Sequence, residues 1–169
     1  NVNPQMVGTA PLSDPAEILA RLNRNLLSYS LDDCEFVTAV YGEYDEAART
    51  LRWSRAGAPP PILMRRGAKA RRLDSPGLPL GVDAEAAFSC AEVQLEPGDT
   101  VILHTDGIES LHAQCMSSRD EQDFLKWIEK IYQNDLQVSL REAADRCARK
   151  GQPAGERDDM TLLSLRISD

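Results

Sequence analysis

Leu95-Glu96-Pro97-Gly98-Asp99-Thr100-Val101-Ile102-Leu103-His104-Thr105-Asp106-Gly107 places a Pro-Gly turn, an apolar run and an acidic stop in one short stretch. The pattern predicts a strand, a turn at Pro97-Gly98 and a second strand that ends at Asp106, the two strands forming a hairpin. A second acidic corner, Arg157-Asp158-Asp159-Met160-Thr161, opens the apolar-rich run Met160 to Ile167, which reads as the last strand. Asp106 is therefore expected where a strand stops, and Asp158 and Asp159 where one begins. Antiparallel neighbours would bring these ends together, and carboxylates far apart in sequence can then converge on a divalent metal.

Outward from these corners, a helix is expected from about Pro15 to Tyr29. Asp14 serves as its cap, Pro15 takes the first helical position, Glu17 lies three residues after the cap, and Ile18, Leu22 and Leu26 recur on one face. Phe36 to Tyr44 and Thr50 to Ala56 read as two strands of a hairpin, and Pro61 to Met64 as a third. The cluster Arg65, Arg66, Lys69, Arg71 and Arg72 that follows reads as a solvated loop, although arginines pair well with phosphate. Phe124, Trp127, Ile128 and Ile131 fall at the spacing of a buried helical face. A further helix is expected from Ser139, where Ser139-Leu140-Arg141-Glu142 forms a capping box, to Gly151. Strands in hairpins with helices grouped beside them imply an α+β layered domain.

In order along the chain, these segments resemble the PPM-type (protein phosphatase 2C-like) serine/threonine phosphatases, in their bacterial sporulation-protein-E branch. The resemblance is carried by Asp14-Pro15-Ala16-Glu17-Ile18-Leu19-Ala20-Arg21-Leu22-Asn23, by Phe36 to Gly42, by Arg55-Ala56-Gly57-Ala58-Pro59-Pro60 and by Gly77-Leu78-Pro79-Leu80-Gly81. Leu95 to Gly107 and Asp158-Asp159-Met160-Thr161 complete the series. It implies two antiparallel β-sheets sandwiched between helical layers, with residues 1–169 as a single phosphatase-like domain. The family's front segments, Gly-Asp-x-x-Asp and Asp-x-x-Gly-His-Gly, have no counterpart here, so the expectation is the C-terminal portion of the family domain, incomplete on its N-terminal side. Where relatives read Asn-Ala-Gly-His-Pro-Pro, Arg55 and Ala58 replace both polar side chains.

The resemblance also implies a chemistry. Asp106 and Asp158 would be ligands of the first metal, with Gly107 shaping the turn and Asp159 as a neighbour or alternative ligand. Mg²⁺ and Mn²⁺ prefer oxygen donors and retained waters, which suits an acidic site in a chain with only two histidines and does not suit zinc. Such ions activate a water as nucleophile, so no Ser, Cys or His nucleophile is required. The implied function is hydrolysis of phosphoserine or phosphothreonine on a bacterial regulatory protein, of the anti-sigma-factor-antagonist type. The alternative is a non-catalytic output or adaptor domain of a response regulator that controls a stress sigma factor. A plainer reading also exists for each corner, because Asp-Gly is a common turn dipeptide and paired Asp before a strand often ends a loop. His104, beside a turn, reads as structural.

Composition narrows the partners. A net charge of −8 argues against a nucleic-acid surface, which requires clustered basic charge. At 169 residues the chain can bury roughly 70% of its unfolded surface. Cys34, Cys90, Cys115 and Cys147 are scattered without Cys-x-x-Cys spacing, which suggests reduced core residues and a cytoplasmic home. No apolar stretch approaches the ~20 residues of a membrane helix, so no membrane partner is expected.

Overall fold

The computed structural model describes residues 14–28, 36–133, 145 and 159–168. In chain order the described elements are α1 (Pro15–Ser28), β1 (Ala39–Asp45), β2 (Thr50–Ala56), β3 (Ile62–Met64), β4 (Arg71–Arg72), β5 (Ala91–Gln94), β6 (Thr100–His104), α2 (Asp106–Met116), α3 (Glu121–Gln133) and β7 (Leu162–Arg166). They fall into two compact units, Asn1–Gly57 with Ser75–Gln94, and Ala58–Asp74 with Leu95–Asp169. Each unit holds one antiparallel sheet, of order β1-β2-β5 and β4-β3-β6-β7 respectively. The class is α+β, as expected.

In the first unit β1 and β2 form the expected hairpin, in register from Ala39↔Ala56 to Asp45↔Thr50. The strand starts at Ala39 rather than Phe36, because Val37 instead exchanges backbone bonds with Leu80 at 2.9 and 2.8 Å. Asp14 caps α1, its Oδ1 accepting the Ala16 N–H at 3.2 Å. The helix buries Pro15, Leu19 and Asn23, and Leu22 is exposed, so the buried face lies to one side of the expected Ile18-Leu22-Leu26 stripe. A polar residue decides this. Asn23 Nδ2 donates to the Asp83 carbonyl and its Oδ1 accepts the Gly81 N–H, both at 2.8 Å, which satisfies a buried amide and seats the helix.

The same unit explains two of the motifs physically. Gly57 has φ +68° and its N–H donates to the Gly77 carbonyl at 3.0 Å. A Cβ on Gly77 would stand 1.8 Å from the Arg55 carbonyl oxygen, so only glycine lets the two backbones approach this closely. Arg55 donates from Nε to the Ser75 carbonyl at 2.8 Å, and Ala58, where the second unit begins, is buried.

In the second unit the core joins Ile62, Ile102, Ile108, Leu111, Phe124, Trp127, Ile128 and Ile131. The α3 face expected from Phe124 to Ile131 is thus buried. Two expectations are corrected. The Pro97-Gly98 turn does not close a hairpin, since β5 pairs with β2 while β6 pairs with β3 and β7. β6 is a central strand, paired along both edges, and the successive burial of Thr100, Val101 and Ile102 shows that both its faces are covered as well. The basic cluster is not simply a solvated loop. Arg71 and Arg72 form β4 against β3, and Arg65 makes a bidentate pair with the buried Asp99, at 3.0 Å from Nε and 2.6 Å from Nη2.

The helix expected from Ser139 to Gly151 lies outside the described residues. So do Cys34 and Cys147. Of the other cysteines, Cys90 is free but exposed and Cys115 is disulfide-bonded. That corrects the expectation of reduced core cysteines and removes the cysteine-based argument for a reducing compartment. No helix among the described residues is long and apolar enough to cross a membrane.

Candidate metal centre

The antiparallel register of β6 and β7 runs from Thr100↔Arg166 to His104↔Leu162, which carries Thr105 to the side of Thr161. There the two corners meet. The Thr105 N–H donates to the Thr161 carbonyl at 3.1 Å, the Thr105 hydroxyl donates to the Asp159 carbonyl at 2.8 Å, and the Thr161 N–H donates to Thr105 Oγ1 at 2.9 Å. The expected convergence of the Asp106 corner with the segment before the last strand is therefore present in the backbone. Asp159 is exposed. Asp158 lies outside the described residues.

Asp106 does not end a strand. β6 stops at His104, Thr105 takes the N-cap position with φ −88° and ψ 160°, and Asp106 is the first residue of α2. It is exposed at a helix N-terminus, where the aligned peptide dipoles favour a negative side chain. Gly107 is buried within the first helical turn and is not among the glycines with positive φ, so it shapes no reverse turn. The Asp-Gly turn gives way to a helix because extended Thr105 already provides the cap geometry.

A charged network lies behind this helix start. Buried His104 donates from Nε2 to Glu109 Oε1 at 3.1 Å, and Arg72 pairs with Glu109 at 3.0 Å and with Glu121 at 3.3 Å. The Arg72 guanidinium also lies 5.3 Å from the centre of the Phe124 ring. The hydrogen bond from His104, with Arg72 beside it, holds the Glu109 carboxyl below its ordinary range against the opposing effect of burial. His112, on the next turns of α2, is buried against Phe124 and Trp127 at 5.4 and 5.3 Å between ring centres, and burial lowers its imidazole pKa.

Sequence reasoning missed Thr105, Glu109 and Arg72 as parts of this corner. Thr105 carried a signal, as a capping residue type directly before an acidic residue. Glu109 and Arg72 carried none, since only tertiary pairing separates them from other surface charges.

Among the described residues no group of three or more His, Cys, Asp or Glu side chains could hold a metal ion by itself. What the corner offers is a hard carboxylate at an exposed helix start, next to a second acidic segment. That donor chemistry fits Mg²⁺ or Mn²⁺, which bind through one or two carboxylates and keep several waters.

Comparison with known proteins identifies the family and the fold. The profile of the stage II sporulation protein E (SpoIIE) family matches residues 7–168. Phosphoserine phosphatase RsbU of Bacillus subtilis (strain 168) is 26% identical over 156 residues, which cover 90% of this chain and 45% of the relative. The chain thus spans less than half the length of that curated relative. Among solved structures, the SiaA-PP2C domain of Pseudomonas aeruginosa matches with a TM-score of 0.69 at 23% identity, over 92% of this chain and 61% of that one. The Mn-presoaked phosphatase domain of SpoIIE from Bacillus subtilis matches with a TM-score of 0.60 at 17% identity, over 96% of this chain and 77% of that one.

Proposed function

Since the chain belongs to the SpoIIE family and its domain is of the PPM phosphatase type, we propose that it hydrolyses phosphoserine or phosphothreonine on a regulatory phosphoprotein. The observation that supports the proposal is the β6–β7 pairing, which brings Thr105, at the start of α2, to Asp159 and Thr161. The name of RsbU, a phosphoserine phosphatase, supports the substrate class. A bacterial anti-sigma-factor antagonist is the proposed protein substrate, and the cytoplasm the site of action. We treat the two units as parts of one phosphatase-like domain, because the family match runs through both.

Asp106 and Asp158 would hold Mn²⁺ or Mg²⁺, with Asp159 and Gly107 adjoining. When bound, the ion supplies an activated water and charge stabilisation at the phosphoryl group. This chain's own contribution is positional. Asp106 presents its carboxylate from the rigid first turn of α2, and the bonds between Thr105, Asp159 and Thr161 fix the second corner against it. The pairing of buried His104 with partly exposed Glu109 ties that turn to the end of β6.

The test is Mn²⁺-dependent phosphate release from a phosphoserine-bearing regulatory protein, measured for the wild type and Asp106→Asn. We expect turnover that requires the metal and is lost in the variant, whose fold is retained because the exposed carboxylate is replaced by an amide of the same shape. Metal-independent turnover, or none with any phosphoprotein, would overturn the proposal.

A further inference from the structure

At the meeting point of the two corners a side chain performs a backbone's task. In an antiparallel ladder, directly opposed hydrogen-bonded residues exchange two bonds, each N–H donating to the other's carbonyl. Thr105 and Thr161 make only one of these, from Thr105 N–H to Thr161 carbonyl at 3.1 Å. The Thr105 carbonyl has turned into the helix, where it accepts the Ile108 N–H at 3.0 Å. Thr161 N–H would be left without its ladder acceptor, and Thr105 Oγ1 takes it at 2.9 Å.

The same hydroxyl spends its proton on the Asp159 carbonyl at 2.8 Å. Thr105 occupies an N-cap position, yet makes no side-chain bond to the helix it caps. A hydroxyl offers one donor and two acceptor lone pairs, and here the donor and one acceptor cross to the other corner. A capping threonine ordinarily satisfies the first-turn amides of its own helix.

We propose that Thr105 is a positioning residue of the metal centre: its hydroxyl extends the β6–β7 pairing past the point where the backbone leaves it, and so holds the start of α2, with Asp106, against Asp159 and Thr161. This rests on the reading of Asp106 as a metal ligand. The hydroxyl is the side-chain group that matters for the task. Serine preserves it, and valine keeps the branched shape while removing both bonds.

The test measures Mn²⁺ affinity by titration calorimetry on the full protein for Thr105→Val, Thr105→Ser and Asp106→Asn, together with the hydrogen-exchange rate of the Thr161 amide. Thr105→Val is expected to weaken Mn²⁺ binding about 10–100-fold, the range for partners that orient metal ligands. It should also speed exchange at Thr161, and Thr105→Ser should restore both. Weakened binding in Asp106→Asn with wild-type affinity in Thr105→Val would overturn the positioning role while leaving the metal reading intact. Unaltered affinity in Asp106→Asn would remove the metal reading, and the role of Thr105 with it. Should the valine variant not fold, a folded Thr105→Ser that binds Mn²⁺ poorly would equally overturn the proposal.

Discussion

Glu109 lies between a histidine and an arginine that reach it from a strand end and from the neighbouring hairpin, and this arrangement has a consequence for pH dependence. Its folded-state carboxyl titrates below its ordinary value of 4.5, chiefly through the His104 hydrogen bond. The unfolded chain therefore binds the proton first, so the stability Glu109 contributes is present above about 4.5 and is lost as pH falls through the lowered folded value. Glu109→Gln should lower the melting temperature at neutral pH and lose less of it on acidification than the wild type. Parallel melting curves for the two proteins across that window would contradict this. His112 acts in the same direction, but its loss begins higher, near its ordinary value of 6.5, which separates the two titrations.

At the scale of elements, α3 is where sequence and structure agree most closely. Its apolar residues repeat with helical period, and five of them, Phe124, Leu125, Trp127, Ile128 and Ile131, enter the core of the second unit. Trp127→Ala should cost about 3–5 kcal/mol in chemical unfolding, the range for a large aromatic removed from a packed core. A loss below about 1 kcal/mol would make that face a surface instead. The β1–β2 hairpin was legible for a similar reason, because two β-rich runs flank a short polar connection. α2 was not legible. Its opening Asp-Gly mimics a turn, and its helical start depends on the extended backbone of Thr105. β4 is two arginines long; it pairs along the edge of β3, and Glu109 and Glu121 neutralise Arg72. The partner of β6 was not legible because sequential strands joined by a short turn usually pair, and here both edges of β6 are taken by β3 and β7 while β5 pairs with β2. In the candidate site, Asp106 and the second corner could be read from the motif series. The hydroxyl that joins them could not, since its partners are backbone atoms more than fifty residues away.

For the molecule as a whole, the decisive fact is the order in which the chain visits its two units. It builds most of the first, leaves at Ala58 for β3 and β4 of the second, returns for Ser75–Gln94, and departs again at Leu95. A polypeptide ending at Asp74 would lack β5 of one sheet and β6 and β7 of the other. Such a truncation should show no cooperative thermal transition by circular dichroism, and a sharp one would mean that the first unit is complete without β5. The interleaving also bears on heredity. Any recombination breakpoint between Ala58 and Gln94 divides both units at once, so neither sheet can be exchanged for that of a distant relative by a single crossover. The two must descend together, and a lineage can vary this protein far more readily by appending modules to its ends than by shuffling its interior.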